Sequence, residues 1–333
     1  MTPGPKDNAR AVAAIGVGLA AAAFFTTTYV LNRAIANEGG HWAWSAALRY
    51  FCTLPLLLPL MPWQGGVAPV HAAIRAHPLP WLRWSAVGFV LFCVCLTYSA
   101  DAAPAWLIAG SFQITVIAGM LLSPWLYRDA RRRIPRGALA LGSVVFAGVL
   151  LMQFGHFRGA LDGAAWIALG CVLIAAFAYP LGNRKLLLHL ERSGERLNAT
   201  QRVYGMTLMS QPLWLVVALW AWWQAGGPGL SQVVLAAGVA LGSGVIATVL
   251  FFQATGMVRS NATALGGVEA MQAAEILFAT TLGALFLNEP WPQGWAAVGA
   301  LLVIGGIVAI ALLAGRQNVN ECAIAALRSD RGG

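Results

Sequence analysis

The residues best placed to do chemistry are two carboxylates inside an apolar run. The stretch GGVEAMQAAEILFATTLGALFL, residues 266–287, carries Glu269 and Glu275. An acidic residue at the centre of a membrane-spanning helix costs roughly 2.5–3.5 kcal/mol, so such groups face the protein interior or water. At about 100° per residue, Glu269, Gln272 and Glu275 follow one another in three-residue steps and drift by about 60° each. They form one slanting polar strip on a broad helix face. A carboxyl group kept dry favours its neutral form and can exchange a proton, whereas an Arg neighbour favours the charged form. The one basic residue within a predicted span is Arg49, in WSAALRYF. Each carboxylate therefore has two available roles: binding substrate or proton, or pairing with Arg49, for which Glu275 is favoured. The other ten of the 12 acidic residues fall in tails, in loops or at span edges.

The elements that position these groups are membrane helices. The chain of 333 residues is 59% hydrophobic and 10% charged, against about 25% charged in soluble domains, and its apolar residues come in long runs. Runs of roughly 20 residues, the length that crosses a bilayer, predict ten spans: 11–32, 42–61, 80–98, 104–127, 137–155, 161–182, 204–224, 230–255, 261–287 and 294–314. The first is too long for a secretory signal core and is read as a retained helix. With the N-terminus inside, eighteen of the 21 Lys and Arg fall in inner tails and loops, two (Arg33 and Arg158) fall outside, and Arg49 lies within a span. That bias places both termini in the cytoplasm. Only Lys6 and Lys185 among the 21 are Lys, which with abundant Ala and Gly suggests a bacterial inner-membrane protein.

The chain repeats itself. IPRGALALGSVVFAG (134–148) matches WPQGWAAVGALLVIGG (291–306) at an offset of 157, aligning Pro135, Gly137, Gly142 and Gly148 with Pro292, Gly294, Gly299 and Gly305. The same offset pairs Pro55 with Pro212, and an offset of 159 pairs Gln113 with Gln272. Five spans per half is an odd number, so the second copy enters the membrane upside down. The expected fold is all-α and polytopic: ten transmembrane helices as two inverted five-helix repeats. It divides as a cytoplasmic tail (1–10), a first repeat (11–155), a second, inverted repeat (156–314) and a cytoplasmic tail (315–333). Inverted repeats in transporters meet around a midplane site. Facing central helices carrying Gln113 with Trp106, and Glu269 with Gln272, would make a mixed polar and aromatic pocket. Tyr29 and Asn32, with Tyr179 and Asn183, recur near the ends of the first span of each half, as interface anchors or as a pocket rim or gate. Small residues at Gly142, Gly148, Gly299, Gly305, Gly266, Gly267, Ala270 and Ala274 let helices approach closely. Trp42, Trp44, Trp63, Trp81, Trp84 and Trp295 read as an aromatic belt.

Other chemistries are disfavoured. Cys52, Cys93, Cys95 and Cys171 lie in spans and Cys322 in the tail, so no disulfide framework or metal site is expected. No phosphate-binding Gly-rich loop with Lys appears, so the chain does not hydrolyse ATP itself, and no nucleophile has a buried base. No cofactor is implied. The basic stretch YRDARRRIPR reads as a topology signal, with anionic-lipid contact through Arg131, Arg132 and Arg133 and no nucleic-acid partner. The expected partners are a small-molecule substrate and the bilayer, with the chain a monomer or homodimer.

The segments VLNRAIANEGGHWAWSAALRY, PAWLIAGSFQITVIAGMLLSP, AYPLGNRK and VEAMQAAEILFATTLGALFLNEP, closed by LNEPWPQGWAAVGALLVIGGIVAI, resemble the drug/metabolite transporter superfamily. Within it they look like the ten-span branch labelled multidrug resistance efflux transporters, over roughly residues 11–314. The resemblance implies a substrate path between the halves and export as the usual direction. Small four-span relatives carry proton and cation on a Glu in the first helix, but AVAAIGVGLAAAAFFTTTYVL has no acidic residue. The expectation is therefore a secondary active exporter of a small metabolite or drug-like amphiphile, proton-coupled or exchange-driven, and not an enzyme. The alternative is a non-transporting membrane scaffold or sensor, which has no need of a polar strip in its central helices.

Overall fold

The computed structural model describes residues 5–102, 108, 111–134, 136–154, 163–259, 264–265, 267–268, 271–286, 291, 293–309 and 312. Every regular element among them is helical. The helices are α1 (Pro5–Phe25), α2 (Thr27–Asn37), α3 (Trp42–Leu57), α4 (Ala68–Ala76), α5 (Pro78–Ser85), α6 (Phe92–Ala102), α7 (Thr115–Leu126), α8 (Arg136–Phe154), α9 (Gly163–Ser193), α10 (Ala199–Ala225), α11 (Leu230–Val239), α12 (Thr248–Met257), α13 (Ala274–Phe286) and α14 (Trp295–Ala309). Two π-helical turns, Ala86–Leu91 and Ala240–Ala247, join α5 to α6 and α11 to α12 without a break. By length and composition, six helices among the described residues suffice to cross a membrane: Val12–Ala36, Trp42–Leu60, Pro78–Ser99, Trp166–Ser193, Ala199–Ala225 and Leu230–Met257. Ile117–Leu126, Leu139–Met152 and Trp295–Ala309 are shorter apolar helices.

Local chemistry explains several boundaries. Asn198 starts α10 by accepting from the Gln201 backbone N–H, while the Gln201 side chain accepts from that of Asn198. This reciprocal cap satisfies two donors that a helix start otherwise leaves bare. The same helix stops at Gly226, whose φ of 73° suits a residue without Cβ. Pro55 and Pro212 sit inside α3 and α10, which begin at Trp42 and Ala199, 157 residues apart.

The segments 11–155 and 156–314 interleave: α9 packs on α6, α10 on α3 and α1 on α12. Glycine lets two of these crossings close to backbone contact. A Cβ built on Gly182 of α9 meets Gly88 N at 2.5 Å and Trp84 O at 2.8 Å. A Cβ on Gly299 of α14 meets the Gly148 carbonyl and lies 2.6 Å from Met152 N of α8, while one on Gly306 meets Val145. The order of those contacts, Val145 on Gly306 and Gly148 on Gly299, makes α8 and α14 antiparallel. Gly305 has open space around it, so it makes no such contact. Gly266 and Ala270 lie outside the described residues.

Two expectations change. Reading Arg184 and Arg202 as loop cations was wrong, because α9 runs on to Ser193 and α10 begins at Ala199, which takes both side chains into the protein. Arg184 donates to Gly119 O (2.5 Å) and Ser123 Oγ (3.0 Å), and Arg202 to Phe252 O (2.8 Å). Trp44 and Trp81 are core residues rather than belt residues, Trp81 lying wholly buried against Gly205. Among the described residues Trp63, Trp125, Trp166, Trp220, Trp222, Trp223, Trp291 and Trp295 are the exposed ones. At the end of α9, Arg131 pairs with Asp129 (2.7 Å) and Glu191 (3.1 Å) and holds the exposed Asp129 carboxyl below its usual range by hydrogen bonding. Its guanidinium is thus engaged by protein, and Arg132 and Arg133 are the exposed members of that cluster.

Candidate functional site

A narrow cavity lies where elements of both segments meet. It is lined by Phe25, Thr28, Tyr29, Arg49, Phe92, Leu96, Phe112, Tyr179, Ser243, Gln272 and Glu275. Helical spacing, at i, i+3 and i+4, brings the first three, Phe25, Thr28 and Tyr29, to one face. Thr26 Oγ1 donates to Ala22 O (3.0 Å) and Thr27 Oγ1 to Phe24 O (2.7 Å), back-bonding that bends helices. The helix is interrupted there, between α1 and α2. Phe25 and Tyr29, on either side of the interruption, both reach the cavity.

Opposite them, the wide turn Ala240–Ala247 presents Ser243. A π turn holds one residue more than an α turn, and here the Thr248 hydroxyl caps the Ser243 carbonyl at 2.7 Å. The flanking Gly242 and Gly244 face the Thr27 and Thr53 side chains so closely that a Cβ at either position would collide.

Two ionisable side chains, one acidic and one basic, line the cavity. Glu275, 3% exposed, opens α13 and accepts a hydrogen bond from Tyr29 Oη at 3.0 Å. Arg49, 5% exposed, donates from Nη2 to Ser243 Oγ at 2.7 Å. No ion pair joins them; among the described residues the ion pairs are those of Arg131. The expected Glu275–Arg49 pairing is therefore not made as a direct contact: each charge is held by a neutral hydroxyl. Three buried polar atoms on the cavity residues have no hydrogen-bond partner: Thr28 Oγ1, Arg49 Nε and Tyr179 Oη. Around them runs a chain of rings, Phe112 on Phe92 (5.7 Å), Phe92 on Tyr179 (4.9 Å), Tyr179 on Phe251 (5.7 Å) and Phe251 on Phe25 (6.2 Å). The free volume is about 20 Å³, room for about one water and far below the ~300 Å³ of a small-ligand pocket.

The predicted residues divide as follows. Tyr29, Arg49, Tyr179, Gln272 and Glu275 line this cavity. Gln113 is wholly buried with neither amide atom hydrogen-bonded, yet it lies off the cavity lining, which its neighbour Phe112 joins instead. Asn32 lies on α2 and Asn183 is buried beside Gly88, both away from the cavity lining. Glu269 and Trp106 lie outside the described residues. Sequence reading missed Thr28, Phe25, Phe92 and Ser243; the runs TTT (26–28) and GSG (242–244) were the available signals.

A second cavity, of about 190 Å³, separates the α2–α3 turn from the α10–α11 turn. Ser231 donates to Glu38 across it, and the Gln232 amide donates to His41 O and Ser45 Oγ, both at 3.0 Å.

Apolar helices and a desolvated polar cavity between them define a polytopic membrane protein. The chain belongs to the EmrE family, whose model, described as "Putative multidrug resistance efflux transporter", matches residues 12–316. Membership of a transporter family implies transport across a membrane rather than catalysis. The chain is 41% identical over 304 residues to "Uncharacterized protein YjlA" of Bacillus subtilis (strain 168), covering 89% of this chain and 93% of that protein. It is 39% identical over 274 residues to an "Uncharacterized 42.1 kDa protein in intracellular alkaline protease 3'region" of Shouchella clausii, covering 80% and 71%. A solved chain known as "Crystal structure of protein" superposes with a TM-score of 0.66 at 16% identity, over 91% of this chain and 98% of that one, and so shares the fold.

Proposed function

We propose that the chain is a secondary active exporter of a small metabolite or drug-like amphiphile, working by proton coupling or exchange in a bacterial inner membrane with both termini cytoplasmic. The observation that carries this reading is the narrow cavity where Glu275 and Arg49, buried and not in direct contact with each other, meet between elements of both segments. A membrane protein bears that cost where charge is used. Its architecture is ten transmembrane helices in two inverted five-helix repeats, 11–155 and 156–314. Supporting this are α3 and α10, which start 157 residues apart, a π turn in the third helix of each half, and the antiparallel α8–α14 contact. Gln113 and Gln272, 159 residues apart, both lie where a central helix is interrupted, the first just before α7 and the second in the tight turn Met271–Ala273 before α13. Interrupted helices at the repeat interface are where transporters bind. Glu275, with Glu269 on the same strip, exchanges proton for substrate; Gln272 and Tyr179 complete the site. Arg132 and Arg133 face anionic headgroups.

The test is flux in proteoliposomes under an imposed pH gradient, comparing wild type, Glu269→Gln and Glu275→Gln at equal reconstituted amounts over lipophilic cations, amino acids and nucleosides. Gradient-driven flux that disappears in Glu275→Gln supports the reading. Equal behaviour of all three proteins on every compound refutes it.

A further inference from the structure

We infer that the cytoplasmic end of the α5–α9 crossing is a binding site for an anionic phospholipid, whose headgroup phosphate sits between Arg83 and Lys185. The inference does not depend on the transport reading above. One indole organises the site: the Arg83 guanidinium lies 4.8 Å and the Lys185 ammonium 5.7 Å from the centre of the Trp84 ring. Both distances fall within the ~6 Å reach of a cation–π contact. The two cations come from different segments, Arg83 on α5 and Lys185 on α9. The tight crossing of those helices lets them share a ring: a Cβ on Gly182 meets Trp84 O at 2.8 Å, and Lys185 follows Gly182 by three residues.

Two like charges gathered on one ring repel each other, and neither has an anionic partner. Helix α5 has no acidic residue, and the first carboxylate after Lys185 on α9, Glu191, is taken by Arg131 at 3.1 Å. Among the described residues the ion pairs are those of Arg131, so Arg83 and Lys185 have none. One turn beyond Lys185, on the same helix face, His189 Nε2 is buried without a partner and can donate to an anion as well. The depth suits a headgroup. Along α9 the exposed apolar residues Trp166, Ile167, Leu173 and Ile174 give way to Lys185 and then to the exposed Glu191 and Arg192. From Trp166 to Lys185 the helix rises about 28 Å at 1.5 Å per residue, against about 30 Å for the hydrocarbon core of a bilayer. With Trp166 at the outer boundary, Lys185 reaches the inner one, and Arg83 stands beside it on the shared ring. The anion at that level is a headgroup phosphate, and basic pockets between cytoplasmic helix ends bind such groups. Guanidinium and ammonium both make short charge-assisted bonds to its oxygens. A lipid bridging these two cations ties the two segments together at their inner face.

The experiment is native mass spectrometry of the full chain released from mixed micelles holding phosphatidylglycerol and phosphatidylcholine in equal amounts, which counts the lipid each protein retains. Wild type is expected to keep phosphatidylglycerol in preference. Arg83→Gln and Lys185→Gln are each expected to lower that preference about 5-fold, the worth of one cation at a charged leaflet, and Lys185→Arg to keep it. Joint replacement of Arg132 and Arg133 by Gln is expected to leave it within about 2-fold, exposed charges in water contributing little. Headgroup photocrosslinking of wild type with a diazirine-bearing phosphatidylglycerol needs no variant, so it decides the matter should a Gln variant not fold. Label on the α5 and α9 peptides around Trp84 supports the site, and label confined to other peptides overturns it. No preference in wild type overturns the proposal, as does a preference that both Gln variants keep or that loss of Arg132 and Arg133 lowers equally. Release of the lipid by inorganic phosphate at equal concentration assigns the site to a free anion and overturns the lipid as its occupant.

Discussion

Gly182→Ala tests whether the α9 crossing holds Tyr179 in the cavity. The new methyl would sit 2.5 Å from Gly88 N and 2.8 Å from Trp84 O. Non-bonded heavy atoms settle at about 3.5–4.0 Å, so the helices must part by about 1 Å. Both obstacles are backbone, which cannot rotate aside as a side chain can. Overpacking of this kind costs about 1–3 kcal/mol. Tyr179 stands three residues back on the same helix, so the ring that packs on Phe92 at 4.9 Å moves with it. The assay is SDS-titrated unfolding of the purified protein in mixed micelles, with proteoliposome flux in parallel. Gly170→Ala is the internal control: it lies on α9 with nothing within 4 Å, and alanine is the better helix former by roughly 1 kcal/mol. Loss of stability and flux in Gly182→Ala, with Gly170→Ala unchanged or firmer, is the expected outcome. If the two variants unfold together and transport alike, the crossing is not a fixed contact and the reasoning fails.

Ser243→Ala removes the acceptor of Arg49 and is expected to destabilise by about 1–3 kcal/mol in the same unfolding assay; Ser243→Thr, which keeps the hydroxyl, is the comparison. Trp81→Ala empties a wholly buried site against Gly205 and is expected to cost about 3–5 kcal/mol. Trp223→Ala, at a position 79% exposed, is expected to stay within about 0.5 kcal/mol, read from the same SDS titration.

The helical class and the carboxylate Glu275 were legible because hydrophobic run length and isolated charge are one-dimensional signals. Arg49 was legible as the charge inside a run. The burial of Arg184 and Arg202 was not, because each lies beside a loop in sequence and becomes interior only when α9 extends and α10 starts early. Ser243 and Thr28 were hidden for another reason. Serine and threonine are common in apolar helices, and nothing in a hydropathy pattern marks a π turn or a bend that redirects them. Gln113 and Gln272 align in sequence, yet only Gln272 reaches the cavity lining, because the alignment fixes position along a helix and leaves the side chain's direction to the neighbours.

The turn Ala240–Ala247 has a consequence for how this chain can vary. A π turn is an α-helix storing one surplus residue, so the span tolerates the loss of a residue there without losing its helix. Such a deletion closes the π turn to an α turn and leaves Phe251 and the rest of α12 in register, so its effect falls inside the turn, on how Ser243 is aimed at Arg49. Length within these eight residues is therefore as much a part of the site's code as the identity of any side chain in it.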